Sequence, residues 1–401
     1  MGSGMPWRLT AQKAYLSGHN GHAAPVAAAR TRGLALMSMI VVTVVGARPQ
    51  FVKAAVVSRA LRATATVSEI LVHTGQHYDP GMSDVFFSQL GIAPPAYNLE
   101  IGSLSHGAQT GRMLERIEGI LQETTPDWVV VYGDTNSTLA GALAAAKLHV
   151  PVAHVEAGLR SFNRAMPEEV NRVLTDHLST VLFTPTEAAV NNLGAEGIPR
   201  ERVTEVGDVM YDAALYYSAQ ALDMPSPVAP FGVAAGEYVL ATVHRAENTD
   251  VPARLTTIAG ALRRLAAQRP VVVPLHPRTV SALERGGLLE GLKTDCVIME
   301  PVSYLAMVRL EKEAAVIVTD SGGVQKEAFF HGVPCVTLRD ETEWVELLEC
   351  GANRLAPPRD EATILDGVRQ ALEDGSPKVR EELYGGGKAA VRIANRLAAG
   401  L

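Results

Sequence analysis

Six β-branched residues in succession, Ile40-Val41-Val42-Thr43-Val44-Val45, stop at Gly46, and a helical stretch follows from Pro49 to Leu61. A run that is apolar at nearly every position has no polar face to turn to water, so its strand must be covered on both sides. A sheet with one wet face cannot use such a strand; a parallel sheet layered with helices can. The pattern recurs. Strands are expected at Glu69–His73, Asp127–Tyr132, Val150–Val155 and Val181–Phe183, with helices over Thr138–Leu148 and from Glu187. A second series begins after about residue 208. It has strands at Tyr238–Val243, Val271–Leu275, Cys296–Met299, Ala315–Thr319 and Cys335–Leu338, and helices at Ala253–Gln268, Tyr304–Glu313, Gly323–Phe330 and Thr342–Glu349. Sustained strand–helix alternation in two series predicts an α/β protein of two Rossmann-like, doubly wound parallel-sheet domains. Ligands of such folds bind at the carboxyl ends of the strands, which here places a site in the cleft between the domains.

Composition narrows the functional classes. The 401 residues suit two domains, expected at 39–208 and 209–380. A net charge of −7 disfavours broad binding to nucleic acid or to an anionic membrane surface. Cys296, Cys335 and Cys350 show no CxxC spacing, which argues against both a disulfide framework and a zinc site. The apolar run Met39–Gly46 is far short of the ~20 residues of a membrane span. Residues 1–38 have no clean apolar core and cleavage site and are expected to be a disordered extension, a tag remnant or the product of an early start codon, with no role in the fold. A cytoplasmic protein is expected.

The polar clusters fall where strands end. In Gly46-Ala47-Arg48-Pro49-Gln50-Phe51-Val52-Lys53, two cations flank a helix start, where free amides and the dipole favour an anion. The same residues also read as a solvated helix start. Neither GxGxxG nor GxxxxGK[ST] occurs there, so a dinucleotide or Walker-type phosphate site loses support. Asp134 follows the strand ending at Tyr132 and can cap the next helix. His154-Val155-Glu156 ends another strand. His-x-Glu occurs in zinc deaminases, but the PCxxC partner is missing. In Pro167-Glu168-Glu169-Val170-Asn171-Arg172, the spacing puts Glu168 and Arg172 on one helix face. Three carboxylates near one sheet edge suit proton transfer at an unactivated carbon. In the second series, His244-Arg245 and His276-Pro277-Arg278 end successive strands and point to a phosphate site. Ser321-Gly322-Gly323 opens a helix whose amides can cradle a pyrophosphate, and Glu327, one turn on, suits a ribose diol.

Taken in order, GARPQFVK, VYGDTNST, HVEAGLR, PEEVNR, HRAEN and TDSGGVQKEA resemble the non-hydrolysing UDP-N-acetylglucosamine 2-epimerases from about Met39 to the last helix. The resemblance implies a GT-B-like architecture, with a terminal helix (381–401) packing back on the first domain. It also implies a homodimer, a UDP-sugar substrate, and neither cofactor nor metal. The implied reaction eliminates UDP across C1–C2 to give 2-acetamidoglucal, then re-adds UDP with the proton delivered to the other face of C2. By this resemblance Asp134, Glu156 and Glu168 match the catalytic acids, Arg172 a supporting residue and His244 a group beside the diphosphate. Arg48 and Lys53 match residues facing the nucleotide. Ser321, Gly322 and Gly323 match the pyrophosphate cradle, Glu327 the ribose ligand, and the segment Pro301–Met307 a wall against uracil.

There are departures. Gln50 stands where many members have Glu, Ala47 where most have Thr, and His276-Pro277-Arg278 where His-x-Asn-Pro is usual. LVHTGQHYDPGMSDVFF and SFNRAMPEE are similar to a branch that includes UDP-2,3-diacetamido-2,3-dideoxyglucuronate epimerases. UDP-N-acetylglucosamine is the first expectation for the substrate and the diacetamido uronate the alternative, with Arg278 a candidate to face C6. A GT-B glycosyltransferase, a hydrolysing epimerase and a non-catalytic nucleotide-sugar sensor are further readings. Of the segments implied to hold an activating second substrate, Gln76-His77 is present, while the expected arginine near 106–108 reads His106-Gly107-Ala108, so weak activation is expected.

Overall fold

β1 (Met39–Val45) has no wet face in the computed structural model, which describes residues 38–76, 87, 89–378 and 381–400. The expectations for residues 1–37 and for His77 lie outside the described residues. Val41 and Val45 pack with Phe51, Val57 and Leu61, while Val42 and Val44 pack on the opposite face with Met113, Ile117 and Leu121. Burial of a valine side chain stabilises by roughly 1.5–3 kcal/mol, so one strand anchors two cores.

β2 (Val67–His73), β3 (Tyr97–Asn98), β4 (Trp128–Tyr132), β5 (Val152–Val155), β6 (Val181–Thr184) and β7 (Val203–Glu205) complete the first sheet. Its order is β3-β2-β1-β4-β5-β6-β7, and each pairing is parallel. The second sheet holds β8 (Val239–Thr242), β9 (Val271–Pro274), β10 (Val297–Met299), β11 (Val316–Thr319), β12 (Cys335–Thr337) and β13 (Asn353–Leu355). Its order is β10-β9-β8-β11-β12-β13, again parallel throughout. Both sheets start near the middle and wind outwards in both directions, the doubly wound arrangement expected from the alternation.

The helix Val209–Leu222 joins the two halves. Val209, Ala213 and Tyr217 enter the core around Phe51, with Leu305 from the helix Tyr304–Glu313. Tyr211 and Ala214 pack on Phe329, Phe330 and Tyr384. The helix Ala389–Ala398 lies in the first of these cores through Ile393 and Leu397. Asp212 caps it, accepting from the amides of Ala389 (3.1 Å) and Ala390 (2.9 Å).

The alternation did not reveal the helix His106–Thr124. Its buried positions Gln109, Met113, Ile117, Ile120, Leu121 and Thr124 follow helical spacing, but Gly107, Gly111 and Gly119 weaken that signal. Helix starts were also read late where residues of the N-terminal turn carry no apolar side chain. The helices begin at Asn136 and Gly322, not at Thr138 and Gly323.

Candidate active site

Strands β1, β4, β5, β8, β9, β11 and β12 all deliver polar residues at their carboxyl ends, and the sharpest local constraint follows β5. Glu156 has φ +72°, a left-handed conformation rare for a residue with a side chain. Its amide and that of Ala157 both donate to the Phe183 carbonyl, at 3.1 and 3.0 Å. Beneath this turn the buried His154 donates from Nε2 to the Gly133 carbonyl (2.7 Å), with Nδ1 2.7 Å from Asp176 Oδ1. Asp176 Oδ2 accepts from Arg160 at 2.7 Å and from the Gly158 amide at 3.1 Å. Burial alone would raise the Asp176 carboxyl, but His154 and Arg160 hold it below its ordinary value. This network clamps the β4 and β5 turns together, so His154 is structural.

Glu156 is gripped from both halves of the molecule. Lys53 Nζ donates to Oε2, and Lys326 Nζ, from the helix Gly322–His331, lies 3.7 Å from Oε1. Lys326 donates to Asp208 Oδ2 at 2.6 Å and sits 4.3 Å from the centre of the Trp344 ring. Burial opposes ionisation of Glu156, yet Lys53, Lys326 and Arg172 together bring its carboxyl down from 4.5 to about 2. Gly133 faces the same spot: a Cβ there would lie 3.2 Å from Glu156 Oε2, and its φ of +63° favours glycine.

Arg172 joins Asp134 to this cluster, with 2.5 Å to Asp134 Oδ2 and 2.8 Å to Glu169 Oε2. The spacing had placed Glu168 on its face, and the structure corrects that pairing. Glu169 points inwards, accepting from the amides of Ser161 (3.0 Å) and Phe162 (2.9 Å) as well as from Arg172. Glu168 is exposed in the first turn of the helix Pro167–Leu178 and has no partner among the described residues. Asn171 Nδ2 donates to the Asp134 carbonyl at 2.9 Å. Gln50 is buried; its Oε1 accepts from the Gly46 amide (2.8 Å) and its Nε2 donates to the Tyr132 carbonyl (2.8 Å), tying the β1 and β4 turns. Arg48 is exposed at the start of its helix. Gln76 Oε1 accepts from Ser137 N (3.1 Å) and Oγ (2.7 Å), bracing the helix Asn136–Lys147.

In the second sheet the buried Asp320 accepts from the amides of His244 (3.1 Å) and Arg245 (3.0 Å) and from Asn248 Nδ2 (3.0 Å). His244 Nδ1 lies 3.3 Å from the same carboxylate. Partial burial lowers the His244 ring, Asp320 opposes this, and Arg245 and His276 add to it. His276 Nδ1 accepts from the Arg278 amide at 3.2 Å and caps the helix Pro277–Arg285. Arg278 is exposed and pairs with Asp250 at 2.6 Å, outside the Glu156 cluster. Ser321 Oγ caps its helix by accepting from Val324 N (3.4 Å). A Cβ at Gly322 would overlap the Glu343 carboxylate, which Arg339 holds at 2.7 Å. Met307 packs at the edge of the core around Tyr238 and Leu310.

Glu327 lies close to two further titratable groups. Burial, with Glu311 as a like charge nearby, pushes Glu327 up to about 8 against the pull of His331 and Lys326. Burial also pushes Glu311 to about 8, and neither of its oxygens has a hydrogen-bond partner among the described residues. His331 Nε2 lies 3.7 Å from Glu311 Oε2, and burial lowers that ring to about 4.

The structure therefore brings together Lys53, Asp134, Glu156 and Arg172, and separately groups His244 with His276, and Ser321–Gly323 with Arg339. Sequence reading missed Lys326, Asp208, Glu169 and Arg339. Arg339 obeyed the same strand-end rule as the others, two residues past β12. Lys326 lay inside a quoted motif, but its reach to Glu156 depends on how the halves meet. Among the described residues, no three His, Cys, Asp or Glu side chains cluster as metal ligands, and no helix is long and apolar enough to cross a membrane.

Comparison with known proteins agrees with this layout. The family model described as UDP-N-acetylglucosamine 2-epimerase matches residues 59–398. A UDP-2,3-diacetamido-2,3-dideoxy-D-glucuronate 2-epimerase of Pseudomonas aeruginosa is 53% identical over 90% of this chain and 99% of its own. A UDP-N-acetylglucosamine 2-epimerase of Methanocaldococcus jannaschii is 45% identical over 89% of this chain and 98% of its own. The crystal structure of the Methanocaldococcus jannaschii enzyme in complex with UDP-GlcNAc and UDP superimposes with a TM-score of 0.79, at 44% identity, covering 91% of this chain and all of that one. With two parallel sheets facing a shared carboxylate cluster and a family match across most of its length, this chain belongs to the UDP-N-acetylglucosamine 2-epimerase family.

Proposed function

We propose that the chain inverts C2 of a UDP-linked 2-acetamido sugar, and that this sugar is 2,3-diacetamido-2,3-dideoxyglucuronate. The observation carrying the reaction is Glu156, a carboxylate held ionised at the end of β5 by cations from both halves. C2 of such a sugar has no carbonyl to acidify its proton, so abstraction needs a fixed base and a departing diphosphate. In the proposed course Glu156 takes the C2 proton, the C–H pair forms the C1=C2 bond, and the C1–O bond breaks with its electrons leaving on UDP. The glycal is retained, a proton returns to the other face of C2, and UDP adds back at C1. Asp134, oriented by Arg172, and Glu168, which has no partner among the described residues, are the groups available to deliver that proton. Ser321, Gly322, Gly323, His244, Arg48 and Lys53 would hold the diphosphate, and Glu327, protonated near neutrality, would meet the ribose.

The choice of sugar follows identity. Motifs alone put UDP-N-acetylglucosamine first, but 53% identity to the diacetamido-glucuronate epimerase exceeds the 45% to the archaeal UDP-N-acetylglucosamine enzyme and the 34% to that of Escherichia coli. UDP-N-acetylglucosamine stays as the second reading because the archaeal relative covers the chain almost as fully. Separate incubation of the two sugar nucleotides in D2O, followed by proton NMR, decides between them. Deuterium entry at C2 with a manno product from the diacetamido uronate is expected. Turnover of UDP-N-acetylglucosamine alone selects the second reading, and free sugar with UDP overturns the non-hydrolysing course.

A further inference from the structure

Two lysines face Glu156, and they differ in what else they can do. Lys53 contacts Glu156 directly and lies on the helix Arg48–Ala63, whose start is one proposed wall of the diphosphate site. Lys326 is almost fully buried, hydrogen-bonded to the buried Asp208, and only faces Glu156. An incoming diphosphate competes for Lys53, whereas Lys326 is buried and already hydrogen-bonded to Asp208. The same molecule shows the extremes between which a buried glutamate moves. Glu311, buried without a cation, stands at about 8. Glu156, facing both lysines with Arg172 beyond, stands at about 2. A carboxylate at the lower extreme is too weak a base for a C2 proton, and one at the upper extreme is mostly protonated at neutral pH.

We infer that Lys326 is the positioning residue that keeps Glu156 ionised during proton abstraction, after the diphosphate has drawn Lys53 away, and that it does so only when the two halves are closed. This rests on the reading of Glu156 as the base. The charged groups facing Glu156 are Lys53 on the Arg48 helix, Arg172 on the Pro167 helix and Lys326 on the Gly322 helix; behind Lys326 lie Asp208, at the start of the Val209 helix, and Glu327. Losing Lys53 alone therefore leaves one near cation, which places the Glu156 carboxyl between the two extremes, where a general base is most effective. Because Lys326 comes from the second sheet, the tuning couples basicity to closure.

The test is the pH dependence of kcat for deuterium entry at C2 of UDP-2,3-diacetamido-2,3-dideoxyglucuronate, at saturating substrate. Removing the cation raises the Glu156 carboxyl, and the ionised form is the active one, so the acidic limb should move to higher pH. We expect Lys326→Gln to move it by about one unit or more, Lys326→Arg to restore it, and UDP affinity to stay within about threefold. Lys326→Gln leaves Asp208 buried and unpaired, so Lys326→Gln/Asp208→Asn is made alongside it and should show the same shift. A limb that stays put in the double variant while kcat falls evenly at all pH values, or a profile identical to that of the unmodified chain, overturns the inference. No C2 exchange by the unmodified chain with either sugar nucleotide would overturn the underlying reading instead, so the two failures are distinct.

Discussion

The carboxyl groups of this chain are separated by their surroundings more than by their chemistry. Glu156→Gln should lower kcat by at least ~10²-fold, the lower range for a lost general base, with UDP affinity little changed, because this side chain meets cations of the protein and not the phosphates. Near-normal turnover would remove its role. Glu311 makes the opposite case. Its carboxyl is raised from 4.5 to about 8, so between those values the folded chain holds a proton that the unfolded chain has released. Stability from this group is fully present below 4.5 and declines as pH rises to about 8, by about 1.4 kcal/mol per pH unit at most. Glu311→Gln keeps the shape and removes the titration. The stability gain over the unmodified chain, read from urea midpoints, should therefore grow from pH 5 to pH 8; a constant difference would show that Glu311 is not the titrating group.

At the scale of elements, the turns after the strands do the positioning, and two glycines in them should answer differently to the same methyl group. Gly158 has φ +81°, and a Cβ there would lie 2.5 Å from the Ala189 carbonyl oxygen. Backbone cannot swing aside, so Gly158→Ala should cost about 2–4 kcal/mol and shift the β5 turn that carries Glu156. At Gly322 the overlapping atom is the end of the Glu343 side chain, which can rotate away. Gly322→Ala should leave the melting temperature almost unchanged and weaken UDP binding, since the methyl group enters the proposed cradle. Thermal melts with UDP titrations separate the two; equal losses of stability would contradict this account.

On the scale of the whole molecule, the Glu156–Lys326 and Lys326–Asp208 contacts cross between the first sheet's half and the helix Gly322–His331. The Ser321–Gly323 part of the proposed phosphate cradle lies on one side of this junction and the carboxylates on the other, so the proposed chemistry calls for the halves to close on UDP. UDP at 100 times its dissociation constant should stabilise the chain by about 2.7 kcal/mol. It should also reduce the radius of gyration in small-angle scattering. A melting shift with no contraction would mean that binding does not need closure.

The reach of sequence reading follows the range of the forces involved. Burial on both faces writes itself into a strand as an unbroken apolar run, so β1, β4 and β11 and the doubly wound sheets were legible from Ile40–Val45 and its successors. Polar residues directly after such runs were legible as a candidate site, because carboxyl ends of parallel strands converge wherever the sheet folds. Short edge strands such as β3, two residues long, carry too few side chains to signal themselves. Pairing was not legible. Helical spacing offered Arg172 to Glu168, and the fold gave it Glu169 and Asp134, because only the tilt of that helix decides which carboxylate turns inwards. Lys326 and Glu156 are 170 positions apart in sequence and meet only through the packing of Val209–Leu222 between the halves. Local pattern determined which residues stand at the ends of the strands; the junction of the two sheets alone decided which charges face one another, because Coulomb energy depends on distance in space and the chain order carries no record of it.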